Sequence, residues 1–333
     1  MSQGLQIPAA FWREELAAAY RRSAELLDFL GLSQDFASSE AERNFPTLVT
    51  RHYAALMEKG NLRDPLLLQV WAQKPETLVV PGFVADPVED SCATQVEGIL
   101  QKYAGRILVM PTGACAIHCR HCFRRSFPYE SLQTQGLALR LQEFLAHNAD
   151  VEEVILSGGD PLLLDDESLS VIFAVIAMAP HVRRLRIHTR LPIVLPSRFT
   201  QTLLETIKNL PCEMILVVHA NHANELDEAS ALVFARLRSL GVHLLNQSVL
   251  LRGVNDCAQV LTDLSRKLFA QGVLPYYLHQ LDRAAGTAHF EVSVSEGLAI
   301  MEKLGAMLPG YLVPRYVREV PGASGKTILV KAD

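Results

Sequence analysis

The chain has 333 residues, 49% hydrophobic and 20% charged, which is material for one large domain with an appendage, or for two. A formal net charge of −5 argues against a nucleic-acid-binding surface. The longest apolar run, 171–180, is too short for a bilayer, no basic-then-apolar leader is visible, and the six cysteines are not spaced as a disulfide framework, so the expectation is a soluble cytoplasmic protein without membrane contact.

Residues 1–95 read as a helical extension. Apolar residues at helical spacing (Leu16, Tyr20, Ala24, Leu27) predict a helix over 11–30, stopped at Gly31. A second helix is expected over about 46–59 and a shorter one over 65–73. The stretch 75–87, with Pro75, Pro81, Pro87 and Gly82, reads as an extended crossing segment. From about residue 100 the pattern alternates. Strands are expected at 106–111, 151–157, 182–189, 213–219, 242–250 and 273–279. Helices are expected at 132–147, 166–178, 197–209, 224–240, 256–270 and 294–308. The strands are rich in apolar residues, as in a parallel sheet covered on both faces. Six such units, with no GxGxxG after any strand, favour a partial parallel (β/α)6 TIM-like barrel over a doubly wound sheet. The chain then divides into an extension (1–95), a barrel core (96–309) and a C-terminal segment (310–333).

The loop after the first barrel strand carries Cys115, Cys119 and Cys122 at CxxxCxxC spacing. Thiolates hold iron–sulfur clusters. Three of them on a four-iron cube leave one iron open to a small molecule. A structural zinc site would want a fourth ligand, which His118 or His121 would have to supply. Ser157-Gly158-Gly159-Asp160 ends the next strand, and its glycines let backbone approach a ligand closely. Both segments follow strand C-termini and so fall on one rim, where barrel chemistry sits. Near the C-terminus, Pro321-Gly-Ala-Ser-Gly-Lys326-Thr327 looks like a phosphate-binding loop. Val320 stands where that loop needs glycine, and the six residues after Thr327 cannot make the helix that would cradle a phosphate. A lysine among small residues can instead form a Schiff base with pyridoxal phosphate (PLP).

The segments CRHCFRR (119–125), SGGDP (157–161), RIHTRLPIV (186–194), NHANE (221–225), NQSVLLRGVND (246–256) and YYLHQLD (276–282) resemble the lysine 2,3-aminomutase family of radical S-adenosylmethionine (SAM) enzymes. The resemblance runs over about 60–331. MEKGN (57–61), PGF (81–83), CFRRSFPY (122–129) and GYLVP (310–314) look like its short branch, which makes β-lysine for modification of elongation factor P.

The resemblance implies the radical SAM fold, with a PLP lysine on the C-terminal segment. Cys115, Cys119 and Cys122 would hold a [4Fe–4S] cluster whose open iron binds SAM. Lys326 would be the catalytic, PLP-bonding lysine, with Lys102 and Arg106 facing the PLP phosphate. Ser157, Gly158, Gly159, Asp160, His219 and Gln247 would approach SAM. Arg124 would take the substrate carboxylate, for which a guanidinium fork is suited. Asp282 would face the distal ammonium, with Glu319 where the family has a second aspartate. The implied reaction turns L-α-lysine into β-lysine of R hand, fed by an external one-electron reductant. It links the chain to elongation factor P and its β-lysyl ligase, involves neither nucleic acid nor membrane, and leaves room for a homo-oligomer. No zinc is expected: the longer family members' C-terminal cysteines have no counterpart, and Cys257 reads as a buried apolar residue. Two other readings compete. A free-standing mutase for lysine or another amino acid such as glutamate sits poorly, in the acidic case, with carboxylates at both distal positions. A non-catalytic zinc scaffold has no use for Arg124, Asp282 and Lys326 beside the cysteines.

Overall fold

The computed structural model describes residues 11–129 and 135–331. Four short helices come first: α1 Phe11–Ala17, α2 Ser23–Phe29, α3 Ser39–Asn44 and α4 Arg51–Ala55. The helix expected over 11–30 is therefore broken. Tyr20 exchanges two backbone hydrogen bonds with Val49, at 2.8 and 3.0 Å, and this long-range pairing interrupts the helical turns. The same pairing keeps the residues before Thr50 extended. The helix expected over 46–59 thus begins only after Thr50, whose hydroxyl accepts from the Tyr53 N–H at 3.2 Å. The helix expected over 65–73 is a single 3-10 turn, Leu67–Gln69, started by the Asp64 carboxylate on the N–H groups of Leu66 and Leu67.

One ten-stranded sheet follows, its strands hydrogen-bonded in strict chain order. It opens with β1 Thr94–Val96, β2 Ile99–Tyr103 and β3 Arg106–Thr112, all antiparallel. Then come α5 Leu137–His147, β4 Glu153–Gly158, α6 Asp166–Ala177, β5 Arg184–Thr189, α7 Leu191–Val194 and α8 Gln201–Lys208. They are followed by β6 Glu213–Val218, α9 Glu228–Ser239, β7 His243–Val249, α10 Ala258–Ala270, β8 Leu274–His279 and α11 Val294–Met307. The start expected for α5 includes 132–134, which lie outside the described residues. The chain ends with β9 Arg315–Arg318 and β10 Thr327–Ile328. β3 to β9 run parallel, and β10 returns antiparallel to β9. Sequential order with right-handed crossovers puts the connecting helices on one face, so the sheet curls into a partial barrel. β1 and β10 are its two edges.

Two features depart from the sequence reading. The β1–β2 hairpin extends the sheet on the N-terminal side. β9, in the segment set apart as 310–333, pairs in parallel with β8 through Tyr277 and Arg315, so the boundary at 309 falls inside a continuous sheet.

Nor are the strands apolar on both faces. Along β5, Leu185 and Ile187 enter the main core, while Arg186 and His188 line the lumen. The main core joins Leu156, Ile187 and Leu216 of the strands to Leu169, Leu203 and Phe234 of the helices. Each such burial is worth about 1.5–3 kcal/mol. Tyr53, Leu66 and Leu67 belong to that core, so the extension is packed into the barrel wall. Cys257 is exposed, at the N-cap of α10, and does not fill the apolar role expected of it.

Candidate active site

The lumen encloses a cavity of about 300 Å³. Its upper end is the cysteine loop after β3, and the extension holds that loop from outside. Arg120, fully buried, sits between two cysteines and aims outward. Its Nε donates to both Glu76 oxygens at 2.9 and 3.0 Å, its Nη1 to the Phe45 carbonyl at 2.6 Å and its Nη2 to the Ala41 carbonyl at 3.2 Å. Arg125 reaches the same Glu76 at 2.8 Å. With these side chains turned away, Cys115, Cys119 and Cys122 line the cavity. His118 is spent on the Pro46 carbonyl at 2.8 Å and stacks on Phe45. His121 lies against Asn221, their nitrogens 3.3 Å apart.

The glycine turn after β4 is fitted to the cysteine loop. A Cβ on Gly159 would come within 2.2 Å of the Ala114 carbonyl oxygen, so no side chain is tolerated there. Gly158 has φ +110°, which L side chains rarely adopt. The Asp160 N–H donates to the Ala114 carbonyl at 2.7 Å. The Asp160 carboxylate accepts from the Thr189 hydroxyl and the Arg190 N–H, each at 2.8 Å, and from the Leu162 N–H at 3.2 Å. Asp160 thus braces the ends of β4 and β5 against the loop. Arg190 completes the rim: its Nη1 donates to Cys119 Sγ at 2.7 Å, its Nη2 to Glu225 at 2.6 Å and its Nε to the His219 carbonyl at 3.1 Å.

The other end of the cavity is built on carboxylates and cations. Lys326 Nζ lies 2.5 Å from Glu319 Oε2, while Glu319 Oε1 accepts from the Tyr103 hydroxyl at 2.7 Å. Burial raises the Glu319 carboxyl, but Lys326, Tyr103 and Lys102 outweigh it and hold it below its ordinary value. Lys102 sits 2.7 Å from Asp90 and donates to the Val88 carbonyl at 2.7 Å. Asp90 also takes Arg124 Nε at 2.6 Å, and Arg124 Nη1 donates to Ser157 at 3.3 Å. One chain of contacts therefore runs from Arg124, beside the cysteines, through Asp90 and Lys102 to Glu319 and Lys326. Asp282 has no such partner among the described residues, and burial pushes its carboxyl up to about 6 despite nearby Lys326.

Between the ends, the lumen carries neutral imidazoles. Burial, then Arg190 and Arg124, lowers His219 to about 3, and its Nε2 pairs with Gln247 Nε2 at 2.7 Å. Burial lowers His188 and His279 well below the ordinary histidine range, and each has a buried Nε2 without a hydrogen-bond partner among the described residues.

The radical SAM superfamily pattern matches residues 109–263. The L-lysine 2,3-aminomutase of Escherichia coli strain K12 is 45% identical over 324 residues, which are 96% of this chain and 94% of that protein. That of Haemophilus influenzae is 42% identical over 95% of each chain. That of Clostridium subterminale is 35% identical over 95% of this chain and 77% of its own length. The chain belongs to the L-lysine 2,3-aminomutase family.

Members of this radical SAM family are isomerases, and membership implies a [4Fe–4S] cluster, SAM and PLP. The donor set fits them. Burial raises the Cys115 thiol and takes Cys122 up to about 11, with neighbouring cysteines adding to both. Such thiols ionise readily only against a cation, which iron supplies. The cavity also holds two buried guanidinium Nε–H groups, of Arg106 and Arg186, with no partner among the described residues, as an anionic phosphate requires.

Every residue singled out from the aminomutase resemblance lines this one cavity. Of these, Lys102 also pairs with Asp90, and the Asp160 carboxylate also accepts from backbone and Thr189. Sequence reasoning missed Asp90, Arg186, His188, Arg190 and His279. A signal existed for the RIHTR run, whose period-2 alternation of apolar and polar residues marks a polar lumen face. Nothing local marked Asp90.

Proposed function

We propose that this chain is a PLP-dependent L-lysine 2,3-aminomutase, converting L-α-lysine to β-lysine. The observation that carries the reading is one cavity with the cysteine triad at one end, Lys326 with two carboxylates at the other, and Arg124 linked to both. The cluster with SAM supplies a hydrogen-abstracting radical when bound, and PLP a π-system that spreads the unpaired electron. The chain's own residues do the rest. Arg124, its Nε and Nη1 held by Asp90 and Ser157, turns the free end of its guanidinium toward the substrate carboxylate. Asp282 takes the distal ammonium, and for this it must be ionised. The neutral imidazoles of His188, His219 and His279 add no charge to the lumen.

The full-length match to the short Escherichia coli and Haemophilus influenzae relatives supports the EpmB branch of the family. On that reading the product is (R)-β-lysine, consumed by the ligase that modifies elongation factor P, in the cytoplasm, with electrons from an external one-electron reductant. No helix among the described residues is long and apolar enough to cross a membrane.

The test is anaerobic. Protein reconstituted with iron, sulfide and PLP is reduced and given SAM and L-lysine, and the products are resolved by chiral chromatography. (R)-β-lysine is expected. The S enantiomer would move the chain to the free-standing mutases. SAM cleavage without β-lysine would refute the substrate. Lys326→Ala turning over at the wild-type rate would refute the PLP assignment.

A further inference from the structure

A second cavity, of about 550 Å³, lies against the first. Leu281, Asp282 and Glu319 line both, so these three side chains form a shared wall. The topology explains why. β8 and β9 are parallel neighbours, and Asp282 and Glu319 follow their C-terminal ends, which brings the two carboxylates to one junction. That junction is the end of the lumen that receives the substrate's distal ammonium.

The second cavity opens to water. Its rim carries Arg252 and Arg283, with side chains 45% and 58% exposed. Both are matched by carboxylates, Arg252 by Glu296 at 2.8 Å and Arg283 by Glu291 at 2.7 Å. Arg318 differs. It lines the same cavity half-buried, and its guanidinium has no ion pair or hydrogen bond among the described residues. The roof is the segment 77–89. It leaves Glu76, held by Arg120 and Arg125, and ends at Asp90, held by Lys102 and Arg124. Between those anchors, the Val84 N–H donates to the Arg283 carbonyl and the Val84 carbonyl accepts from the Ala285 N–H, both at 2.9 Å. Val84 lines the cavity, and its side chain is exposed.

Resting on the aminomutase reading above, we propose that this second cavity is the vestibule through which lysine reaches the lumen and β-lysine leaves it, with Arg318 receiving the amino acid's carboxylate on the way. A guanidinium without a partner is suited to a carboxylate. The carboxylate has the longer journey, to Arg124 beside the cysteines, so the α end leads. The distal ammonium follows and stops at the junction, where Asp282 and Glu319 attract it. The trailing end of the substrate thereby plugs the passage it came through.

The experiment uses PLP-loaded protein without SAM, with L-lysine as the probe. Stopped-flow absorbance follows lysine taking the place of Lys326 on PLP. A barrier in an access route slows arrival and departure alike and leaves Kd unchanged, whereas damage to the seat changes Kd. Val84→Trp, which fills the vestibule from its roof, should slow both rates at least about tenfold and keep Kd within about twofold. Arg318→Gln should slow arrival about three- to tenfold and weaken its dependence on salt. Val171→Trp, on the exposed side of α6, is the control and should match wild type. Lysine reaching Val84→Trp at the wild-type rate would overturn the proposal, and so would a raised Kd with no slower arrival. Should that variant fail to fold, Arg318→Gln with wild-type arrival and salt dependence would overturn it instead. A wild type that takes up PLP but shows no response to lysine would overturn the aminomutase reading and the vestibule with it.

Discussion

Replacing Glu76 by Gln should loosen the cysteine loop from a distance. Glu76 lies in a 3-10 turn of the extension, its side chain 1% exposed, and serves Arg120 and Arg125 at once. Those guanidinium groups are 0% and 6% exposed. Removing the one carboxylate they share leaves two buried cations without a counter-charge. Breaking a buried pair from one side costs about 3–5 kcal/mol. That is a large part of the roughly 5–15 kcal/mol by which a domain is stable. Glu152→Gln is the control: its partner is Arg184, the pair is 50% and 38% exposed, and such pairs are worth about 0–1 kcal/mol. The assays are urea unfolding and iron bound per chain after reconstitution. Glu76→Gln should lose about 3–5 kcal/mol and much of its iron, while the control keeps both. Stability within about 1 kcal/mol of wild type, with full iron loading, would refute the idea that the extension holds the loop.

Gly159→Ala should fold its strands, read by circular dichroism, but lose iron, since its Cβ would collide with the Ala114 carbonyl oxygen at 2.2 Å and displace the cysteine loop. Overpacking of this kind costs roughly 1–3 kcal/mol. Arg190→Met leaves Glu225 buried without its cation and strips Cys119 of its donor. It should cost about 3–5 kcal/mol and speed iron loss to a chelator. Arg190→Lys keeps the charge but not the fork, and should fall between the two. The KM for lysine should rise as pH falls through about 6, where Asp282 takes up a proton and loses the charge that attracts an ammonium. A flat KM between pH 5 and 8, under conditions where the protein stays folded, would remove Asp282 from that role.

The barrel was legible because its signals are local. Each strand from β3 to β8 carries apolar residues on at least one face and is ended by a turn, and several of the helices start at a capping residue, such as Asp165, Thr200 and Asp227. The extension was misread because its order is not local. Tyr20 leaves a helical pattern to pair with Val49, and no periodicity within residues 11–30 records that. β9 is short and β10 shorter, too brief for an alternating pattern to register. Within the candidate site, residues in dense motifs stood out in the sequence, and so did Lys326, through its resemblance. Asp90 was not, because a lone carboxylate in a loop looks like any solvated acid until Lys102 and Arg124 fold against it. The Lys102–Asp90 pair is likewise visible only in the fold.

Lys326 immediately precedes a two-residue strand at the outer edge of the sheet. An edge strand has a neighbour on one side only, so it can fray without disturbing anything beyond it. The Lys326 amine thus hangs on one edge of the sheet, while the cysteine loop is clamped between extension and rim. The two ends of the cavity differ in rigidity by construction. Amide exchange over 315–331 should therefore be fast when Lys326 is free, and should slow when that lysine is tethered to a molecule seated in the lumen, which would stitch the loose edge shut.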